Sequence, residues 1–170
     1  MRPLNEGEIS DYFMTYANKV PKGDAIKLLK QTFKETRRLL KNVDEEKGNY
    51  AYADGKWTLK EVLIHIIDTE HVMGYRALRI ARNDKTPLPG FDQNDFVRGV
   101  DVSKRSIKSL LKEFAAMRKL TIAMYRHFDD EMLSRVGTAS NNAASAMAML
   151  YVIIGHEIHH REVLIERYLS

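Results

Sequence analysis

Apolar residues recur at helical spacing over four long stretches of the chain. Leu28, Leu29, Phe33, Thr36 and Leu40 predict a first helix over about 25–42, with Asp24 placed to cap it. The second start is the clearest, because Thr58-Leu59-Lys60-Glu61 is a capping box and Trp57 stands where a hydrophobic staple belongs. That helix is expected to reach about Arg82. Ser103 is placed to cap a third helix running to about Phe128, and after a break at 137–141 a fourth extends from about Asn142 to Leu169. A shorter amphipathic segment, Ile9 to Lys19, carries Tyr12, Phe13 and Tyr16 and stops near Pro21. No stretch alternates with the period of a strand and no segment repeats, so the pattern predicts an all-α four-helix bundle.

Two polar gaps interrupt the pattern. The first, Asp44 to Lys56, is an ordinary loop containing Gly48 and Gly55. The second, Asn83 to Val102, holds Pro87, Pro89, Gly90 and Gly99 and is unusually long for a compact domain. Loops of that length are functional or required by the topology.

Composition narrows the classes. A chain of 170 residues, 44% hydrophobic and 29% charged, suits one globular domain spanning 1–170. There is no cysteine, which excludes disulfides and thiolate metal ligands and agrees with a cytoplasmic location. The net charge of +4 is spread along the chain, and the densest basic patches, Lys34 to Lys41 and Lys104 to Lys119, have helical spacing. They read as solvated helix faces, so no nucleic-acid partner is expected. Ala143 to Ile154, the longest apolar stretch, is too short to span a bilayer, and Met1 to Glu6 lacks the apolar core of a signal peptide. No membrane partner is expected either.

The candidate chemistry lies in the histidines. His156 and His160 stand four apart and therefore on one helix face, among Met149, Val152, Ile153, Val163 and Leu164. His65 stands among Val62, Ile66, Thr69 and Val72 on the second helix. The plain alternative is three core histidines satisfied by polar neighbours. Three imidazoles at ligand spacing instead point to one divalent ion with an open fourth position, and imidazole suits zinc, nickel, iron or copper alike. His71, His127 and His159 fall off these faces and are not expected to be ligands.

Helix heights test the grouping. His65 lies ~10 Å from the start of its helix. Histidines 156 and 160 would average ~24 Å from the same end if the second and fourth helices ran parallel, but ~16 Å if antiparallel. The antiparallel arrangement makes the second and third helices parallel, and the Asn83–Val102 segment is then the crossover they need. The predicted topology is up-down-down-up.

The run Gly55-Lys56-Trp57-Thr58-Leu59-Lys60-Glu61-Val62-Leu63-Ile64-His65, then Asp68-Thr69-Glu70, and the closing His156-x-x-x-His160 resemble the DinB-like (damage-inducible) family of four-helix metalloproteins, its YfiT-like members included. Pro87 to Gln93 is similar to one subgroup of it. The resemblance spans nearly the whole chain. It implies a metal site at His65, His156 and His160, often a homodimer, and a small-molecule substrate. It also implies either metal-dependent hydrolysis or transfer of a low-molecular-weight thiol.

The same residues admit other readings. His156-Glu157-Ile158-His159-His160 has the form of the zinc-protease motif, with Glu157 as the candidate catalytic base, but only ten residues follow to supply a third ligand. The plainer reading of Glu157 is an exposed residue paired with Arg161. A di-iron site would use Glu157-x-x-His160 and Asp68-x-x-His71, at the expense of His65. The loop around Phe91, Asp92, Asn94 and Asp95 is placed to wall the open position. A non-catalytic, stress-associated metal-binding or dimerisation module is the alternative to an enzyme, and a closed fourth position would mark it.

Overall fold

A computed structural model describes residues 1–170 in full. In chain order the helices are α1 (Asp11–Ala17), α2 (Ala25–Leu40), α3 (Glu45–Gly48), α4 (Leu59–Ala81) and α5 (Gln93–Arg98). They continue with α6 (Ile107–Tyr125), α7 (Asp130–Ser134) and α8 (Ala146–Val163). Strands β1 (Val136–Ala139) and β2 (Asn142–Ser145) precede α8, and a π-helical turn, Leu164–Tyr168, extends it.

Each long helix starts where a side chain takes up a free amide of the first turn. Asp24 accepts from the Lys27 amide at 2.8 Å. The capping box on α4 is complete: the Glu61 amide donates to Thr58 Oγ1 at 3.2 Å and the Thr58 amide to Glu61 Oε2 at 2.6 Å. The third long helix begins at Ser106 rather than Ser103. Ser103 is engaged otherwise, donating its amide and hydroxyl to Asp101 at 3.0 and 2.6 Å, which turns the chain instead of capping it. That helix also ends at Tyr125, three residues short of the expected Phe128.

The start of the fourth long helix also differs. Residues 142–145 pair antiparallel with 136–139, from Val136 opposite Ser145 to Ala139 opposite Asn142. The turn residues Ser140 and Asn141 both have positive φ, 51° and 62°, as a tight two-residue hairpin requires. Helix α8 therefore starts at Ala146, capped by Ser145. Four-residue strands are too short to show a period in sequence.

Contacts along the long helices fix their directions. Phe33 packs on Phe114 while Arg118 reaches the Leu29 carbonyl, so α2 and α6 are antiparallel. Lys60 donates to the Ser103 carbonyl near the start of α6, and Arg118 meets Glu70 further along, so α4 and α6 are parallel. Tyr168 donates to the Trp57 carbonyl at one end of α8, and the β1 residue Gly137 lies against Ile80 at the other, so α4 and α8 are antiparallel. The bundle is up-down-down-up. The connection from α4 to α6 runs its length and carries α5.

The core divides in two. One apolar cluster gathers Leu29, Met73, Ala77, Ile80, Leu150 and Ile154; the other gathers Leu40, Leu63, Ile67, Leu110, Phe114 and Leu164. Between them every long helix presents polar side chains: Thr32 and Thr36, Thr69 and Glu70, Arg118, and His156 and Glu157. This belt of polar groups inside an apolar bundle is where the candidate site lies.

Candidate metal centre

His65 on α4 and His156 and His160 on α8 offer nitrogen atoms that all lie within 4.8 Å of one another. His65 Nε2 and His156 Nε2 are 3.0 Å apart, and the ring of His160 stands 4.4 Å from that of His156 and 4.8 Å from that of His65. Helical geometry on α8 brings its two rings together, and the antiparallel α4 supplies the third. The structure thus gathers the three histidines singled out in the sequence. His71 and His127 are exposed, and His159 stands beside the group but outside it.

The three rings are held neutral. Burial, reinforced by His159, pushes His65 down to about 4, and burial with His65 and His159 pushes His160 to about 3. Burial also takes His156 well below the usual imidazole range. Each ring therefore keeps a lone pair available at neutral pH, and the buried Nδ1 of His160 has no hydrogen-bond partner. Two nitrogens on one tetrahedral zinc are about 3.3 Å apart, close to the His65–His156 spacing. The donor set fits one divalent ion.

No carboxylate orients these rings. Aromatic packing does so instead: Trp57 lies 4.8 Å from His65, and Tyr16 lies 5.2 Å from His156 and 5.5 Å from His159, edge on. Tyr16 reaches that position because residue 155 is glycine. A Cβ there would lie 2.0 Å from the Tyr16 carbonyl oxygen, so any side chain would push α1 away from α8.

Glu157 is not the exposed residue the i+4 pairing with Arg161 suggests. It is completely buried, accepting from Thr36 Oγ1 at 2.7 Å and from Arg118 Nη2 at 2.8 Å, while Arg161 pairs with Glu35. Position 157 lies about 100° around the helix from His156, which turns it toward α2 and α6. Arg118 also grips Glu70 at 2.7–3.1 Å and donates to the Leu29 carbonyl and to Thr32. Burial disfavours the Arg118 cation, but Glu157 and Glu70 outweigh that cost and raise its pKa above the ordinary value. Hence the basic stretch Lys104–Lys119 is not solvated throughout, because Arg118 faces inward at 2% exposure. With Glu157 committed to Arg118 and His71 exposed, the di-iron ligand set is not assembled.

A cavity of about 580 Å³ adjoins the histidines, with His65 and His156 on its wall. Phe13 and Tyr16 of α1 form one side, and Phe91, Asp92 and Asn94 another. The long crossover therefore does wall the site, although Asp95 is not part of the wall. Asp92 is occupied in capping α5, accepting from the Asn94 and Asp95 amides at 2.7 and 3.0 Å. Sequence reasoning missed Tyr16, Gly155, Arg118 and Arg76, a buried residue that also lines the cavity. The spacing of Arg76 from His65 and Thr69 along α4 places it on the inner face, which was the available signal.

The profile described as "DinB superfamily" matches residues 28–164, and the chain belongs to that superfamily. Its bundle is similar to YfiT from Bacillus subtilis, described as a probable metal-dependent hydrolase with an unusual four-helix bundle topology. The TM-score is 0.75 at 17% identity, over 97% of this chain and 90% of that one. It is also similar to a mycothiol-dependent maleylpyruvate isomerase, with a TM-score of 0.67 at 14% identity, over 85% of this chain and 61% of that one. A candidate metal-dependent hydrolase of Oceanobacillus iheyensis is 24% identical over 147 residues, 84% of each chain. No helix is long and apolar enough to cross a membrane.

Proposed function

We propose that the protein is a metal-dependent hydrolase of a small molecule, binding one divalent ion, zinc or nickel, through His65, His156 and His160. The observation that carries this reading is the cavity: two of the three ligands face a space large enough for a small substrate. A purely structural ion would be closed in on all sides. Bound to neutral imidazoles, such an ion is a Lewis acid that polarises a carbonyl and makes water a nucleophile at neutral pH.

The chain's own residues prepare the site. Burial keeps the three imidazoles unprotonated, so no proton competes for their lone pairs near neutrality. Tyr16 and Trp57 pack against the rings and hold them in place. Glu157 is not assigned the role of general base, since its carboxylate is bonded to Thr36 and Arg118 and does not line the cavity.

Thiol transfer is the second reading, favoured by the likeness to the mycothiol-dependent isomerase. The chain has no cysteine, so the thiol would be a low-molecular-weight cosubstrate. The test is turnover of a panel of small esters, amides and electrophiles by the zinc- or nickel-loaded protein, with and without added thiols. Hydrolysis that needs the metal, needs no thiol and disappears in His65→Ala supports the reading. Turnover only with a thiol replaces it by the second, and metal-independent turnover contradicts both.

A further inference from the structure

Arg76 is the one buried cation of the bundle interior without a carboxylate. It is 1% exposed, yet its Nη2 donates only to the Pro89 carbonyl at 2.7 Å and to Ser140 Oγ at 2.8 Å. Its Nη1 faces the Met73 sulfur at 3.6 Å, a weak acceptor. The other inward-facing basic residues differ: Arg118 holds Glu70 and Glu157, and Lys60 holds Glu45. Burial without a counter-charge lowers the Arg76 pKa, the direction expected of a cation short of an anion.

A second polar group nearby is also unsatisfied. Thr69 Oγ1 is buried and has no hydrogen-bond partner. Thr69, Met73 and Arg76 follow His65 at helical spacing along one face of α4, and all four line the same cavity. A long side chain on a helix leans back toward the N-terminus, and the contact of Nη1 with Met73 shows Arg76 doing so. The guanidinium therefore lies on the order of 10 Å from the histidines, within the length of one small molecule.

We infer that Arg76, assisted by Thr69, is the docking point for a carboxylate on the substrate, whose other end meets the histidine centre. The inference rests on the cavity being the substrate site and supplies the substrate's chemical class. A single guanidinium, with an unpartnered hydroxyl two turns earlier on the same helix face, matches the charge of a carboxylate, and Arg binds that group through paired N–H donors. A phosphate monoester carries nearly twice the charge and meets no second cation among the cavity residues. Phe13, Tyr16 and Phe91 line this cavity beside Asp11, Asp92, Gln93 and Asn94, so the body of the substrate meets aromatic faces and hydrogen-bonding groups together.

The test measures binding of 6-phenylhexanoate, 6-phenylhexan-1-ol and 6-phenylhexyl phosphate by calorimetry. Zinc-loaded and chelator-treated protein are titrated side by side, so that preference for the acid in the chelated form is independent of any metal. The acid should bind about tenfold or more tighter than the alcohol in both forms, and Arg76→Met should remove that preference. Equal affinity for acid and alcohol overturns the inference, as does a preference that survives Arg76→Met or a phosphate ester bound tenfold tighter than the acid. If circular dichroism shows that Arg76→Met does not fold, Thr69→Val decides. A several-fold smaller preference supports the assignment, and an unchanged one overturns it. Loss of metal-dependent turnover with the acid preference intact would reject the hydrolase reading alone.

Discussion

At the scale of single residues, the outcome turns on which polar groups the bundle spends on itself. Glu157 sits beside a metal-ligand histidine in sequence, yet its carboxylate stabilises Arg118. Removing one partner of a buried ion pair costs about 3–5 kcal/mol, so Glu157→Ala should lower stability by that order. The same variant should still hold its ion, and denaturation together with metal content checks both halves. Loss of the ion without loss of stability would place Glu157 at the metal instead. Gly155→Ala puts a methyl group against the Tyr16 carbonyl and should cost about 1–3 kcal/mol. It should also free Tyr16 from His156, seen as a change in the His156 ring signals by NMR.

At the scale of elements, the helices that packing and caps both specify were the readable ones. Helix α4 combines a capping box with a nearly unbroken buried face, and its bounds fall within a residue of expectation. The third long helix offered two serines three residues apart, and the local turn Ser103 makes with Asp101, together with the contact of its carbonyl with Lys60, decides between them. Ser106→Ala should therefore cost about 1 kcal/mol, as loss of a cap does, whereas Ser103→Ala should leave the α6 start intact. Comparative denaturant titrations distinguish the two. The hairpin before α8 was illegible because its pairing is a contact between two four-residue segments, and residues 142–145 look apolar enough to continue the helix. The histidine triad was legible because i,i+4 spacing is a local fact and the length of the Asn83–Val102 crossover fits only one pair of helix directions. The Arg118 network and Arg76 were not, since a basic residue's burial depends on what faces it from other helices.

At the scale of the molecule, a polar belt between two apolar clusters makes the fold sensitive to acid. In the unfolded chain the histidines take up protons near pH 6.5, but in the folded protein His65 resists to about 4 and His160 to about 3. Between those values the unfolded state binds more protons, so acid favours unfolding. The metal-free protein should hold this stability in full above about pH 6.5 and lose it progressively as the pH falls toward 4. Thermal melts across that range check it, and a melting temperature flat from pH 7 to 4 would contradict the burial of the rings. An ion bound only by the folded state adds stability by mass action, so chelation at pH 7 should lower the melting temperature.

Metal content per chain, measured by plasma mass spectrometry on untagged protein, tests the histidine site most directly. Wild type would be compared with His65→Ala and His156→Ala. A single ion held by the three histidines gives about one divalent ion per wild-type chain and none in either variant. Two ions per chain, an ion retained by the variants, or no uptake when zinc and nickel are added would contradict it.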